Sequence, residues 1–346
     1  MAGESPPAAG GSREVREVWS WNMDEEFDAL VAAVAGETGV VLALDMEFPG
    51  FVCAEPRVGA RSLRYKALRE NVDKLRPIQL GAAVATADGT LRGVWSFNLH
   101  FNVDVDLHTK SSVAFLRAAG IDFPRHAEEG IDPGPLGRRF IDSCLVGEHG
   151  RSPWWVTFSG AYDLGYLLKV LTEGAPLPRE PTSFDTALAS FCPRRHELRD
   201  QLPHGSLDSL ARKHGIKRHG AAHTAGSDAL LTLELFLNVV GGMGKAAEKK
   251  GSPWLNPENW GYSDGWYQGW DNQWAPMKWE DYWACSFAFP PPGPWPAAPL
   301  AQNVSVTQLG TTTMPNWPQY QGVGMKSPWA EPSATVLADG AQVLAI

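Results

Sequence analysis

Five consecutive apolar residues, Val40 to Leu44, run without a break into Asp45-Met46-Glu47. A short continuous run of Val, Leu and Ala reads as a buried strand. Side chains two apart in a strand project from the same face, so its end carries two carboxylates side by side. Buried like charges repel strongly unless cations neutralise them, which makes the pair a candidate metal site. A strand that simply reaches solvent at its end would carry the same residues, so the pair needs company elsewhere in the chain.

Two later segments supply it. Trp154 to Phe158 reads as an aromatic-rich strand that turns through Ser159-Gly160 into a helical stretch from Tyr162 to Lys169, setting Asp163 in the first helical turn. An Asp there also serves as a favourable charge at the positive end of a helix dipole. Further on, Asp228 opens a strongly apolar helix that runs to Leu237, with His223 in the loop before it; alone, such a histidine would read as a surface residue. Together the segments offer four carboxylates and one imidazole. Hydrolysis of a phosphodiester by two divalent metals needs hard oxygen ligands and a base for the attacking water.

In this order, Asp-x-Glu on a strand, Tyr-Asp at a strand-to-helix junction and His-x-Ala-x-x-Asp entering a helix resemble the DEDD exonuclease superfamily in its histidine-containing branch. Asp45-Met46-Glu47-Phe48-Pro49-Gly50 resembles the Asp-Thr-Glu-Phe-Pro-Gly signature of the Caf/Pop-type poly(A) ribonucleases, the catalytic deadenylase subunits of the CCR-NOT complex. Asn71-Val72-Asp73, Ile78 to Gly81, Trp95 to Asn98, Glu129 to Asp132, Tyr162 to Lys169 and Ala225 to Thr232 agree with it. The similarity extends from about Val15 to about Val240, and Arg13 to Trp19 is most like plant members.

The resemblance implies a ribonuclease H-like fold, and strands and helices mixed along the chain imply an α/β domain with a mixed central sheet flanked by helices; composition adds a disordered C-terminal tail. The resemblance also implies a 3′-to-5′ exoribonuclease that shortens poly(A) tails and releases AMP. By the same resemblance Asp45, Glu47 and Asp228 hold one Mg²⁺ or Mn²⁺, Asp45 bridges to a second ion that Asp163 supports, and His223 orients and deprotonates the water. Poly(A) RNA, a NOT scaffold and a second, endonuclease-fold deadenylase are the implied partners. Departures lie on the substrate side: Ser159-Gly160-Ala161-Tyr162 stands for His-Ser-Gly-Tyr, the segment from Cys192 to Gly205 is short, and Glu197 and Arg199 occupy an Asp-x-Lys. Met46 replaces a threonine and is expected to face away from the metals.

Composition sets the outer bounds. With 346 residues, 44% of them hydrophobic, the chain can bury a sizeable core. Strand-like runs from Arg76 to Ala85 and from Leu91 to Phe101 flank Ala87-Asp88-Gly89 as a hairpin, with mostly helical patterns after Thr109. Cys53, Cys144, Cys192 and Cys285 show no paired spacing, which fits a reducing compartment. Neither a leader's apolar core nor a membrane-spanning stretch is seen, so a soluble protein of cytoplasm and nucleus is expected.

The net charge of -9 is unexpected in a protein that grips RNA, but it is unevenly spread. Seven acidic residues against two lysines lie beyond Lys250. Arg57 to Arg76 and Arg194 to Arg218 each carry seven basic residues, which would form a rim that steers phosphates, or else solvated helix faces. The expected organisation is a disordered stretch over 1–12, the exonuclease domain over 13–243 and a tail over 244–346. That tail holds ten of the fifteen tryptophans among Pro, Gly, Asn and Gln, without periodicity. Within it Pro253, Leu255 and Pro257 form a Pro-x-Leu-x-Pro pattern resembling ligands of MYND-type zinc modules, a pattern that chance also supplies in a Pro-rich tail. The alternatives are a DEDD exonuclease acting on DNA or other RNA, a catalytically silent scaffold subunit, and a Trp-rich RNA-binding or adaptor protein.

Overall fold

The computed structural model describes residues 12–36, 39–54, 56, 60–147 and 152–248, with side chains described through Val239. The expected N-terminal stretch, apart from Ser12, and the tail beyond Glu248 lie outside them. The strands are β1 (Arg16–Val18), β2 (Val41–Glu47), β3 (Gln79–Ala85), β4 (Leu91–Asn98), β5 (Trp154–Thr157) and β6 (Arg195–Glu197). They form one sheet in the order β1-β4-β3-β2-β5-β6. β2, β3 and β4 pair antiparallel, while β1 joins β4, and β5 and β6 extend from β2, in parallel. The expected mixed sheet is therefore present, with the apolar run at its centre.

The helices are α1 (Met23–Val34), α2 (Arg61–Lys74), α3 (Lys110–Ala118), α4 (Phe123–Glu129), α5 (Pro133–Ile141), α6 (Ala161–Leu171), α7 (Pro181–Phe191), α8 (Leu207–Lys213) and α9 (Ala225–Glu248). On one face of the sheet α1 inserts Phe27 against Phe97 of β4 and Phe140 of α5. Phe27, Leu30 and Val34 recur at helical spacing on its buried side, each contributing roughly 1.5–3 kcal/mol by leaving water. The other face is covered by α9, whose Ala229, Leu230, Leu233 and Phe236 share a core with Val41, Ala43, Ala83 and Val156.

The strand period fixes where the site falls. Val41 and Ala43 turn toward α9, so Asp45 and Glu47, at the same parity, emerge on that face too. Met46 has the opposite parity, in line with the expectation that it faces away. On β3 the residue paired with Asp45 is Gly81. A Cβ at Gly81 would lie 2.0 Å from the carbonyl oxygen of Ala225; the absent side chain lets the start of α9 rest on the sheet. Ala225 N donates to Gln79 Oε1 and Gly226 N to Ser96 Oγ, so two of the N–H groups left free at a helix start are satisfied by the strands beneath.

Boundaries differ from the sequence reading in several places, among them the end of α9 at Glu248, beyond the expected domain limit at 243. The hairpin strands run Gln79–Ala85 and Leu91–Asn98, shorter at their outer ends than expected, because Pro77 has no N–H to give to a ladder. α9 begins at Ala225, so Asp228 lies in its first turn rather than at its opening. β1 and β6 are three-residue strands that carry too little pattern to be seen without their partners.

Replacing Gly81 by Ala tests the close approach directly. Gly81→Ala should destabilise the protein by about 1–3 kcal/mol, the usual cost of forcing a methyl group into a packed contact. Since α9 carries Asp228, any activity that needs Asp228 beside Asp45 and Glu47 should fall as well at a temperature where the variant stays folded. Unaltered stability in chemical denaturation would show that the helix has room to retreat.

Candidate active site and metal centre

Asp45, Glu47, Asp163, His223 and Asp228 all line one pocket of about 100 Å³. They arrive on β2 (Asp45 and Glu47), α6 (Asp163), α9 (Asp228) and the loop before it (His223), each placed for a local reason. Pairing of β2 with β5 ends at Ala43 and Val156, where the chain turns into α6. Past that point the Met46 N–H donates to Asp163 Oδ1 at 3.0 Å, so the end of β2 is tied to the first turn of α6. Asp228 is held by the seat of α9 on Gly81. His223 has a left-handed backbone at φ +64°, and its N–H donates to Asp228 Oδ2 at 3.2 Å. Its ring packs against Phe115 with centroids 4.9 Å apart. Ser159, at φ +59°, is another left-handed residue on the pocket wall. Non-glycine residues tolerate that region only where surrounding contacts impose it.

The loop after β2 is held by its own set of contacts. Asn71 Oδ1 accepts from Val52 N and Cys53 N, while its Nδ2 donates to Cys53 O and Tyr162 Oη. That explains Asn71-Val72-Asp73 as a structural motif beside the site. Gly50 has φ +98°, and a side chain there would strike Ser112 and Thr109. Phe48 stacks on Tyr162 and Tyr166, with Phe51 edge-on to Tyr162, so one wall of the pocket is aromatic. Lys169, also in a matched stretch, caps α2 instead: its ammonium donates to Val72 O, Asp73 O and Leu75 O.

The electrostatics are those of an acidic cluster in a dry place. Burial first, then repulsion from Asp228 and Asp163, raises Asp45 and Glu47 well above the usual carboxylate range, with Glu47 adding to the effect on Asp45. Asp163 is also raised well, by burial and then by Glu197. Asp228 is raised only to about 6, because Arg218 offsets its burial. His223 is lowered to about 4 by burial and the Arg218 charge, so at neutral pH its imidazole is uncharged.

The donor set fits a divalent ion. One oxygen each from Asp45, Glu47 and Asp228 lies within 4.8 Å of the others, all are hard ligands, and their repulsion is what a cation would relieve. Asp163 stands outside that triplet.

Sequence reasoning missed two residues as parts of this site. Glu197 is buried and raised to about 7 by burial, an effect opposed by the N–H groups of Gly160, Arg199 and Ser159. It binds Ser159 N and Gly160 N at 2.8 and 2.9 Å and Thr157 Oγ1 at 3.0 Å, fixing the turn that leads to Asp163. The departure from Asp-x-Lys marked its position but not its burial. Arg218 was counted in a basic rim; in the fold it pairs with Asp208 and Asp228. Much of the other basic segment is also spent on local pairs, Arg61 with Asp185, Arg69 with Asp73, Lys74 with Glu70 and Arg76 with Asp106.

The CAF1 family ribonuclease model matches residues 18–132. The chain is 34% identical over 235 residues to poly(A) ribonuclease pop2 of Schizosaccharomyces pombe, covering 65% of this chain and 69% of that protein. It is 36% identical over 237 residues to probable CCR4-associated factor 1 homolog 10 of Arabidopsis thaliana, covering 64% and 84%. Among solved structures it is similar to S. pombe Pop2p in its Mg²⁺- and Mn²⁺-bound form, with a TM-score of 0.60 and 34% identity over 65% of this chain and 91% of that one. A chain of the yeast NOT1 MIF4G domain co-crystallised with CAF1 is similar at a TM-score of 0.56 and 27% identity, over 70% and 93%.

Like-charge repulsion gives a prediction for the metal-free protein. A carboxylate whose folded pKa lies above its unfolded value stabilises the fold at low pH and loses that contribution as pH rises through the folded value. In excess chelator, Asp45→Asn should therefore melt a few degrees above wild type at pH 8. The gap should shrink as pH falls through the raised value toward 3.8, the value Asp45 starts from. Thermal unfolding at a series of pH values checks it; a pH-independent gap would locate the effect in packing.

Proposed function

This chain belongs to the CAF1 family of ribonucleases, and from that membership we propose that it is a metal-dependent 3′-to-5′ exoribonuclease that shortens mRNA poly(A) tails and releases AMP. The observation that carries the reading is the convergence of Asp45, Glu47, Asp163, Asp228 and His223 on one small pocket. A scaffold subunit has no use for such a cluster, which costs stability through repulsion.

Asp45, Glu47 and Asp228 would hold one ion, and Asp45 with Asp163 would serve a second. Divalent ions bound there supply positive charge for the attacking and leaving oxygens of an in-line phosphodiester displacement. The rest is done by the chain. His223, uncharged at neutral pH, accepts the proton of the attacking water. Its Nδ1 lies 4.0 Å from Asp228 Oδ2, so the positive charge it gains forms facing a carboxylate. The left-handed loop and Phe115 keep the ring in place. Phe48 and Phe51, half-buried on the pocket wall with Tyr162 packed against them, would give a base beside the scissile phosphate an apolar surface to rest on.

The similarity to a chain from the NOT1 MIF4G–CAF1 co-crystal supports assembly of this nuclease domain on a NOT scaffold; the second, endonuclease-fold deadenylase rests on the family resemblance alone. The finer partner, a MYND-type module bound through Pro253, Leu255 and Pro257, rests on a segment outside the described residues. If the pattern docks, Leu255→Ala should weaken capture of a MYND-type module in a pull-down by about 1 kcal/mol or more, the usual cost of losing an interface anchor, with activity on naked RNA unchanged. Equal capture would discard the pattern.

Activity on a labelled RNA with a 3′ A-tail, with and without chelator, tests the main reading. His223→Ala should lower turnover by roughly a hundred- to ten-thousand-fold, the range of general base catalysis, while RNA binding is largely retained. Activity that persists in excess chelator would overturn the proposal, and an equal loss of binding and turnover would make His223 a substrate-positioning residue instead.

A further inference from the structure

Arg218 stands behind the acidic pocket, absent from the residues that line it. Its Nε and Nη2 grip the two oxygens of Asp208 at 2.8 and 2.9 Å, a two-point fork that fixes the guanidinium plane. Nη1 then donates to Ser227 Oγ at 3.0 Å and to Asp228 Oδ1. The other Asp228 oxygen accepts from His223 N, and Ser227 Oγ donates onward to His219 O at 2.7 Å. The side chains of Arg218, Asp208 and Asp228 are 14%, 18% and 11% exposed. A guanidinium so anchored lacks the freedom of a lysine-like counterion to swing in and out of the pocket.

Two roles fit a cation beside an acidic cluster. It could be a stand-in that a metal ion displaces, or a brace that remains when the metal binds. The geometry favours the brace, because Arg218 is anchored to Asp208 on α8, outside the pocket, and reaches Asp228 from that side. We propose that Arg218, held by Asp208, is a positioning residue for the metal centre: it fixes the Asp228 carboxylate where it meets Asp45 and Glu47, and so sets the affinity for a divalent ion. The inference rests on the metal-dependent reading above. Partners that orient metal ligands from outside the coordination sphere commonly contribute 10–100-fold to affinity, a figure of about that order being expected here.

The test is Mn²⁺ binding to the full chain, followed by calorimetry and by the loss of the free-ion EPR signal, with thermal unfolding in chelator as a control for folding. Arg218→Met should weaken Mn²⁺ binding by roughly 10–100-fold. Arg218→Lys should fall between it and wild type, since lysine restores the charge but not the fork. Asp208→Asn, which keeps the arginine and removes its anchor, should weaken Mn²⁺ as well and serves if Arg218→Met does not fold. Folded Arg218→Met or Asp208→Asn protein that binds Mn²⁺ as tightly as wild type, or more tightly, would overturn the inference and make Arg218 a displaceable counterion. Wild-type protein that binds no Mn²⁺ would instead overturn the metal-dependent reading on which it rests.

Discussion

The start of α9 lies against β3 with only a hydrogen on Gly81 between them, and the site depends on that contact. Asp45 and Glu47 are placed by the strand period, but they meet Asp228 only because Ala225 and Gly226 can sit directly on Gln79, Gly81 and Ser96. Gly81, Ala83 and Ala85 make that side of β3 a shallow seat. Their small size is a packing choice with a catalytic consequence: one methyl group would push Asp228 away from its partners.

Close packing then creates an electrostatic problem. Four carboxylates gathered in a buried pocket repel one another. The surrounding chain limits the cost with groups that are themselves fixed. The Met46 amide, freed where β5 stops pairing, goes to Asp163; Arg218 goes to Asp228; the amides of Ser159, Gly160 and Arg199 go to Glu197. Burial and the Arg218 charge push the same way on His223, keeping its imidazole neutral. The apparent surplus of negative charge in the pocket is what gives a divalent cation its affinity.

Much of this was legible in the sequence because the site residues are attached to strong patterns. An apolar run fixes β2, aromatic residues mark β5, and a long apolar helix carries Asp228, so three ligating elements could be placed from periodicity. Glu197 and Arg218 were harder for the same reason in reverse. Glu197 ends a three-residue strand with no pattern of its own, and Arg218 lies in an irregular loop where a basic residue reads as surface. Their partners, Thr157 with the Ser159-Gly160 turn and Asp208 with Asp228, are 10 to 40 positions away in sequence, a distance over which no local propensity operates. The pairing within the basic segments was hidden in the same way, since nothing in Arg61 or Arg69 announces Asp185 or the carbonyl of Leu177 as its partner.

The departures at Ser159-Gly160-Ala161 and at Glu197 belong together in space although they are far apart in the chain. Glu197 accepts from the amides of Ser159 and Gly160, so the changed turn and the changed carboxylate are two sides of one contact. A Cβ on Gly160 would lie 2.2 Å from Thr157 Cβ, which leaves that turn little freedom to rearrange once Glu197 is in place. The changed turn is thereby held in place, and Asp163, three residues further on, keeps its bond to Met46. With backbone amides holding Asp163 and Asp228, the pocket can carry a changed turn beside it and keep that geometry.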